Sequence, residues 1–237
     1  MFNLPQVTLV AMATTNIYAT VRALIYSSRK IKFGRILLIS HIKPWYLPKK
    51  IDFEYTSPNK DVYEWCHKII YELHKYITTD YIILIHDDGF IVNPEKWQDK
   101  FLNYDYIGAP WPIPKDDSFL DANGNLVRVG NSVSLRSKKI LELPSKLNLP
   151  WEDENIGNYH EDGFLCCKNK LLLEKYGVKF APIEVAKYFS HETMVPEIEG
   201  IKPFAFHKWA GSNFEYPDFT KSLKKRLRDF IHNVSGV

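Results

Sequence analysis

The residues best suited to chemistry fall in a few short stretches. His86-Asp87-Asp88-Gly89 ends an apolar run, and acidic oxygens grouped there suit a hard divalent cation that bridges to phosphate oxygens. The same residues also make an ordinary solvated turn, because Asp and Gly dominate turns. Glu161-Asp162, at a loop-to-helix junction, either favour the helix dipole or supply the general base of a transfer reaction. His207 closes the short apolar segment Phe204-Ala205-Phe206, so it is a candidate ligand as well as a candidate structural histidine. Gly130-Asn131 reads as a turn that tolerates left-handed backbone, admits a ligand close to the chain, and exposes the Asn131 amide and Arg136 guanidinium as donors. A plain tight turn with a surface arginine has the same signature. Thr14-Thr15-Asn16 follow the first apolar run and open a helix, a place where free N–H groups can seat a nucleotide.

The elements that must position these groups follow from periodicity. Val7 to Ala13 reads as a buried strand, Asn16 as a helix N-cap, and Ile17, Val21, Leu24, Ile25 and Ser28 recur at helical spacing. Arg35 to Ser40 is a second buried strand, and Asp52 to Tyr55 a short edge strand. Ser57-Pro58 reads as a cap with Pro at the first helical position. The stripe Val62, Cys66, Ile69, Ile70, Leu73, Ile77 leads into Tyr81 to Ile85, a strand apolar on both faces. The order β-α-β-(β)-α-β implies an α/β fold with a mostly parallel central sheet and helices on both faces. In such sheets ligands bind at the carboxyl ends of the strands, where Thr14-Thr15-Asn16 and Asp87-Asp88 stand.

Further on, Asn93-Pro94-Glu95 opens a helix with Trp97 and Phe101 inward, and Asn123-Gly124 marks a hairpin turn within 116–128. Ser132 to Leu135 resumes a strand, Ser137 caps a helix, Gly177 closes one, and Val178 to Pro182 is a late strand. Phe219 to Ile231 reads as a helix with Leu223, Leu227, Phe230 and Ile231 on one side and Lys221, Lys224, Lys225, Arg226 and Arg228 on the others. It docks with a solvated basic face, or makes peripheral contact with anionic lipid or a phosphorylated acceptor.

The chain of 237 residues suits one domain, 1–237, with a nucleotide-binding half at 1–90, an acceptor and catalytic half at 91–218, and the basic helix at 219–237. A net charge of +3 gives no footprint for nucleic acid. The 3 cysteines, Cys66, Cys166 and Cys167, are odd in number and irregular in spacing, which argues against a disulfide framework or a zinc site and for reduced thiols. No signal peptide and no membrane-spanning run is read, so the expected location is cytoplasmic.

The order of these pieces resembles the GT-A class of nucleotide-sugar glycosyltransferases. It is closer still to a family of uncharacterised bacterial and viral GT-A-like proteins. The matching segments are Ile85 to Gly89, Tyr104 to Pro112, Gly130 to Ser137, Glu161-Asp162, Phe189-Ser190, and Pro203 to Trp209. The resemblance implies a single GT-A-like, Rossmann-like domain. It implies transfer of a sugar from a UDP- or GDP-linked donor to a glycan or lipid-linked acceptor, with Mn²⁺ or Mg²⁺ as cofactor. Asp88 takes the place of the last Asp of the family's Asp-X-Asp motif, and His86 falls where the first Asp stands. His207 takes the place of the late metal-binding histidine. Asp162 is the implied base, with Glu161 beside it. Gly130 and Asn131 would face the donor sugar or the acceptor, and Arg136 and Lys208, with Thr14, Thr15, Asn16 and Asp87, are the further candidates for binding the donor. Because His86 replaces an Asp, a nucleotide-sugar- or carbohydrate-binding protein without turnover is the alternative. A nucleotidyltransferase is disfavoured, since no Gly-rich basic phosphate loop follows the first strand.

Overall fold

A computed structural model describes residues 2–116, 118–151, 160–207 and Pro217; the side chains of Asn131 and Ser132 are not part of the description. Lys208 and the expected basic helix at 219–237 lie outside the described residues.

The chain begins with β1 (Phe2–Met12), α1 (Ile17–Ser27), β2 (Ile31–Ser40), β3 (Asp52–Tyr55), α2 (Val62–Tyr71) and β4 (Tyr81–Leu84). It continues through β5 (Gly89–Ile91), β6 (Tyr106–Pro110), β7 (Val129–Ser137) and α3 (Lys138–Lys146). Then come α4 (Glu161–Gly163), a π-helical turn (Phe164–Lys168), α5 (Lys170–Lys175), α6 (Ile183–Phe189), β8 (Ser190–His191) and β9 (Ala205–His207). The six-stranded main sheet has the order β3-β2-β1-β4-β7-β6. β3, β2, β1 and β4 run parallel, whereas β7 lies antiparallel to both β4 and β6. A second sheet, β5-β9-β8, carries the acidic turn's continuation.

Alternation along the central strands sends side chains to both faces. Val7, Leu9, Ala11, Ile83 and Ile85 pack with Val21 and Leu24 of α1, Ala186 and Phe189 of α6, and Phe90 and Phe206 of the small sheet. Val10, Met12, Ile82 and Leu84 pack on the opposite face with Ile69, Leu73 and Leu141. The expected α/β class, with a mostly parallel sheet covered on both faces, is therefore what the chain adopts. The three cysteines are buried and free.

Several local expectations are corrected. α2 starts at Val62 and not at Ser57-Pro58, because the Asp61 carboxylate accepts from the Glu64 N–H at 2.8 Å and Glu64 reaches back to the Lys60 N–H at 2.8 Å. Asn16 holds the N-cap position of α1 with left-handed backbone, but its side chain does not cap. Val178 to Pro182 forms only an isolated bridge, Tyr106 with Phe180. The segment after Asn93 is two short 3-10 turns, Pro94–Lys96 and Asp99–Asn103. Gly130 is not in a turn: it lies inside β7, opposite Ala109. A side chain is excluded there because a Cβ would stand 2.1 Å from the Trp111 ring.

Candidate functional site

Parallel pairing brings the carboxyl ends of β1, β2 and β4 to one edge of the sheet, with the Ile85 N–H donating to the Val10 carbonyl just before the acidic turn. A cavity of about 350 Å³ opens there, lined by Thr14, Thr15, Asn59, Trp65, His86 and Asp87 among others. The Asn16 amide donates to Asp87 at 2.9 Å, so the first βα turn and the acidic turn are fastened to each other. The Asn59 N–H donates to Thr14 Oγ1 at 3.0 Å and closes the third side. Asn59 Oδ1 is buried and has no hydrogen-bond partner among the described residues. Sequence reasoning passed over Asn59 and Trp65; a Pro-Asn pair before a helix cap was the available signal.

The second sheet supplies the other half. β5 and β9 pair antiparallel with Gly89 opposite His207. This sets His207 beside Asp88, with Nε2 and Oδ1 3.0 Å apart. Gly89 suits the place because a Cβ there would clash with the Val133 side chain at 2.7 Å and crowd the His86 N–H at 3.2 Å. On its other side His207 Nδ1 lies 3.2 Å from Glu192 Oε1. Glu192 follows β8, as the acidic turn follows β4, and that repeated strand-then-carboxylate pattern was the missed signal. Burial alone would lower the His207 pKa; the hydrogen bonds to Asp88 and Glu192 outweigh it and raise the ring to about 9. Burial likewise works to raise Asp88, yet His207 holds it below the ordinary carboxylate range. The rings of Trp65, His86 and His207 form a row with centroids 5.1 and 5.2 Å apart. Burial first, and the His207 charge second, push His86 down to about 4, so its imidazole is neutral at pH 7.

Glu161 and Asp162 take different environments, as successive residues at a helix start must. Glu161 is buried and pairs with Arg136 at 2.9 Å, while Cys66 Sγ approaches its other oxygen at 3.7 Å. Burial tends to raise Glu161, but the Arg136 charge keeps it low. Asp162 is partly exposed and accepts from the Gly163 N–H at 2.8 Å. Burial, then the Glu161 charge, push it up to about 7. The expected exposed donor at Arg136 is corrected: its guanidinium is 0% exposed, held by Ser134 Oγ and Glu161, because β7 directs it inward between β6 and α4.

Asp88 and His207 offer one carboxylate oxygen and one ring nitrogen to the expected cation, with Glu192 on the far ring nitrogen. Their 3.0 Å separation is that of a hydrogen-bonded ion pair, so a cation would bind Nε2 only by displacing the His207 proton. A carboxylate on the far nitrogen is the usual partner of a metal-bound histidine. Among the described residues no group of three or more His, Cys, Asp or Glu gathers around one point. At most the Asp88–His207 pair would supply two protein ligands, with substrate phosphates and water left to complete the shell.

The family model described as a protein of unknown function, DUF5672, matches residues 53–207. The chain belongs to this family. The match runs from β3 to His207 and takes in the acidic turn, the buried Arg136–Glu161 pair and Glu192. No curated protein matches the sequence of this DUF5672 member. Among solved structures it is similar to the apo form of glycosyltransferase GlyE of Streptococcus pneumoniae TIGR4, at 11% identity and TM-score 0.47, covering 93% of this chain and 59% of that one. It is similar to bifunctional IspDF from Campylobacter jejuni at 12% identity and TM-score 0.43, covering 93% of this chain and 54% of the other. A third is a glycosyltransferase involved in glycosylation of the major capsid of PBCV-1, at 12% identity and TM-score 0.46, covering 87% and 94% respectively. The DUF5672 chain thus spans little more than half of the first two proteins, and none of these likenesses assigns a role to a residue. Among the described residues no helix is long and apolar enough to cross a membrane.

Proposed function

We propose that this DUF5672 protein transfers a sugar from a nucleoside-diphosphate sugar to an acceptor hydroxyl. The observation that carries the reading is Asp88 Oδ1 and His207 Nε2 at 3.0 Å, beside a cavity walled by the ends of β1 and β4. The nucleotide lies in that cavity in the 1–90 half, with Thr14, Thr15 and Asn16 near its phosphates or ribose and Asp87 held ready by Asn16. Asp88 and His207 would hold Mn²⁺ or Mg²⁺, and such an ion would supply charge neutralisation for the leaving diphosphate. Glu192 orients the His207 ring through Nδ1. Asp162 takes the proton of the acceptor hydroxyl, and its raised pKa matches a base that works near neutral pH. Glu161, engaged by Arg136, supports the helix start on which Asp162 sits.

Titrating UDP, GDP and their sugars with and without Mn²⁺ tests this. Binding of one nucleoside diphosphate should need the cation, and Asp88→Ala should weaken it at least about tenfold. Equal affinity in parent and Asp88→Ala, or no binding of any nucleoside diphosphate, overturns it. One observation favours a second reading, a binding protein without turnover: His86 is a neutral imidazole where the related motif has a carboxylate. Cation-dependent binding with no hydrolysis or transfer of any bound donor would select that reading.

A further inference from the structure

We propose that the loop after β2, residues 41–50, together with Tyr18 of α1, docks on an anionic lipid surface. Trp45 is 95% exposed, Tyr18 66% and Ile42 57%. Large apolar side chains grouped on a surface mark an interaction site, whereas single ones do not. Trp45 and Tyr18 both touch Tyr46 edge-on, with centroids 5.6 and 5.7 Å away, so the three aromatic rings form one platform. The exposure is not that of a detached loop. Pro44 and Ile51 are buried, the Leu47 N–H donates to the Pro44 carbonyl, and the Ile51 N–H donates to the Pro48 carbonyl. The loop is a fixed wedge with its indole outward.

Charge decides the occupant. Lys43, Lys49 and Lys50 lie in the wedge, and no carboxylate occurs between Ser40 and Asp52. Asp52 is engaged by Arg35 at 2.8 Å. Lys50 reaches Ser28 Oγ at 3.0 Å, while Lys43 and Lys49 are exposed and form no salt bridge with a described residue. Tryptophan and tyrosine flanked by lysine suit the headgroup layer, where the rings enter the acyl boundary and the ammonium groups meet anionic lipid. The wedge stands at the same sheet edge as the cavity. Tyr18 is two residues beyond Asn16, which donates to Asp87. A membrane held here would lie against the rim of the cleft. The docking itself is read by vesicle binding alone and does not rest on the transferase reading.

The test is sedimentation of the full chain with vesicles of phosphatidylcholine alone and of phosphatidylcholine mixed with phosphatidylserine. The chain should bind the mixed vesicles only, and less as salt rises. Lys43→Ala and Lys49→Ala should each lower the partition about fivefold, the effect of one lysine near an anionic surface. Trp45→Ala should lower it at least about tenfold, through lost apolar burial, with the melting temperature and nucleotide affinity of the parent retained. Failure of the full chain to bind mixed vesicles overturns the proposal, as does equal binding to neutral vesicles. Parent-like binding by Trp45→Ala also overturns it and moves the attachment elsewhere on the chain. Quenching of Trp45-dependent emission by a neutral oligosaccharide, without vesicle binding, would replace it with a carbohydrate platform.

Discussion

At the scale of single residues, the Arg136–Glu161 pair and Asp162 show how three groups close together divide their work. Arg136 and Glu161 are both buried, so removing one leaves the other charge without compensation. Arg136→Met should cost about 3–5 kcal/mol in urea unfolding, and Arg136→Met with Glu161→Met should recover most of it. Asp162 carries a pKa raised to about 7 in the folded chain against an ordinary value of 3.8. The folded state therefore binds the extra proton between those values, and the stability it confers, full below pH 3.8, is lost as pH rises through about 7. Asp162→Asn removes that slope, so its stability relative to the parent should grow between about pH 4 and pH 7 in parallel melts. Transfer should meanwhile fall by about two to four orders of magnitude with donor affinity kept. Comparable transfer rates would remove Asp162 from the chemistry. The sequence made Asp88 and His207 visible because each ends an apolar run. It could not show that Arg136 points inward, because an arginine that alternates into the core reads the same as one that alternates out until its partner strand is known.

At the scale of elements, strands and helices with strong periodicity were legible, and the exceptions have physical causes. Gly130 reads locally as a turn residue, but its lack of a side chain serves the Trp111 ring laid across β7. Trp111 in turn stacks on Phe119 at 4.4 Å, which ties the 118–128 hairpin to the sheet. Gly130→Ala should displace that stack and destabilise the fold by about 1–3 kcal/mol, measured by thermal melts. The hairpin itself was legible, since Gly124 takes φ 80° where the Asn-Gly signal placed the turn. Ser57-Pro58 misled because Asp61 offers a better cap nearer the apolar stripe: its carboxylate accepts from the Glu64 N–H while Glu64 accepts from the Lys60 N–H.

At the scale of the whole molecule, the β-α-β order was enough to give the parallel half of the sheet, while the reversal at β7 and the small second sheet depend on pairings between distant segments. A nucleoside diphosphate that seats across β1 and β4 should stabilise the entire fold. At a hundredfold excess over Kd the gain is about 2.7 kcal/mol, or roughly 5–10 °C in Tm for a chain of this size. No shift with any nucleoside diphosphate would count against the cavity as its seat. The pairing of Gly89 with His207 has a further effect in time. Thr14 and Asp87, which line the cavity, lie in the first ninety residues, yet His207, the partner of Asp88, is made more than a hundred residues later. A nascent chain halted before Ala205 lacks the β5–β9 pairing that sets His207 beside Asp88, so on the proposed reading the centre is completed only when β9 has been made.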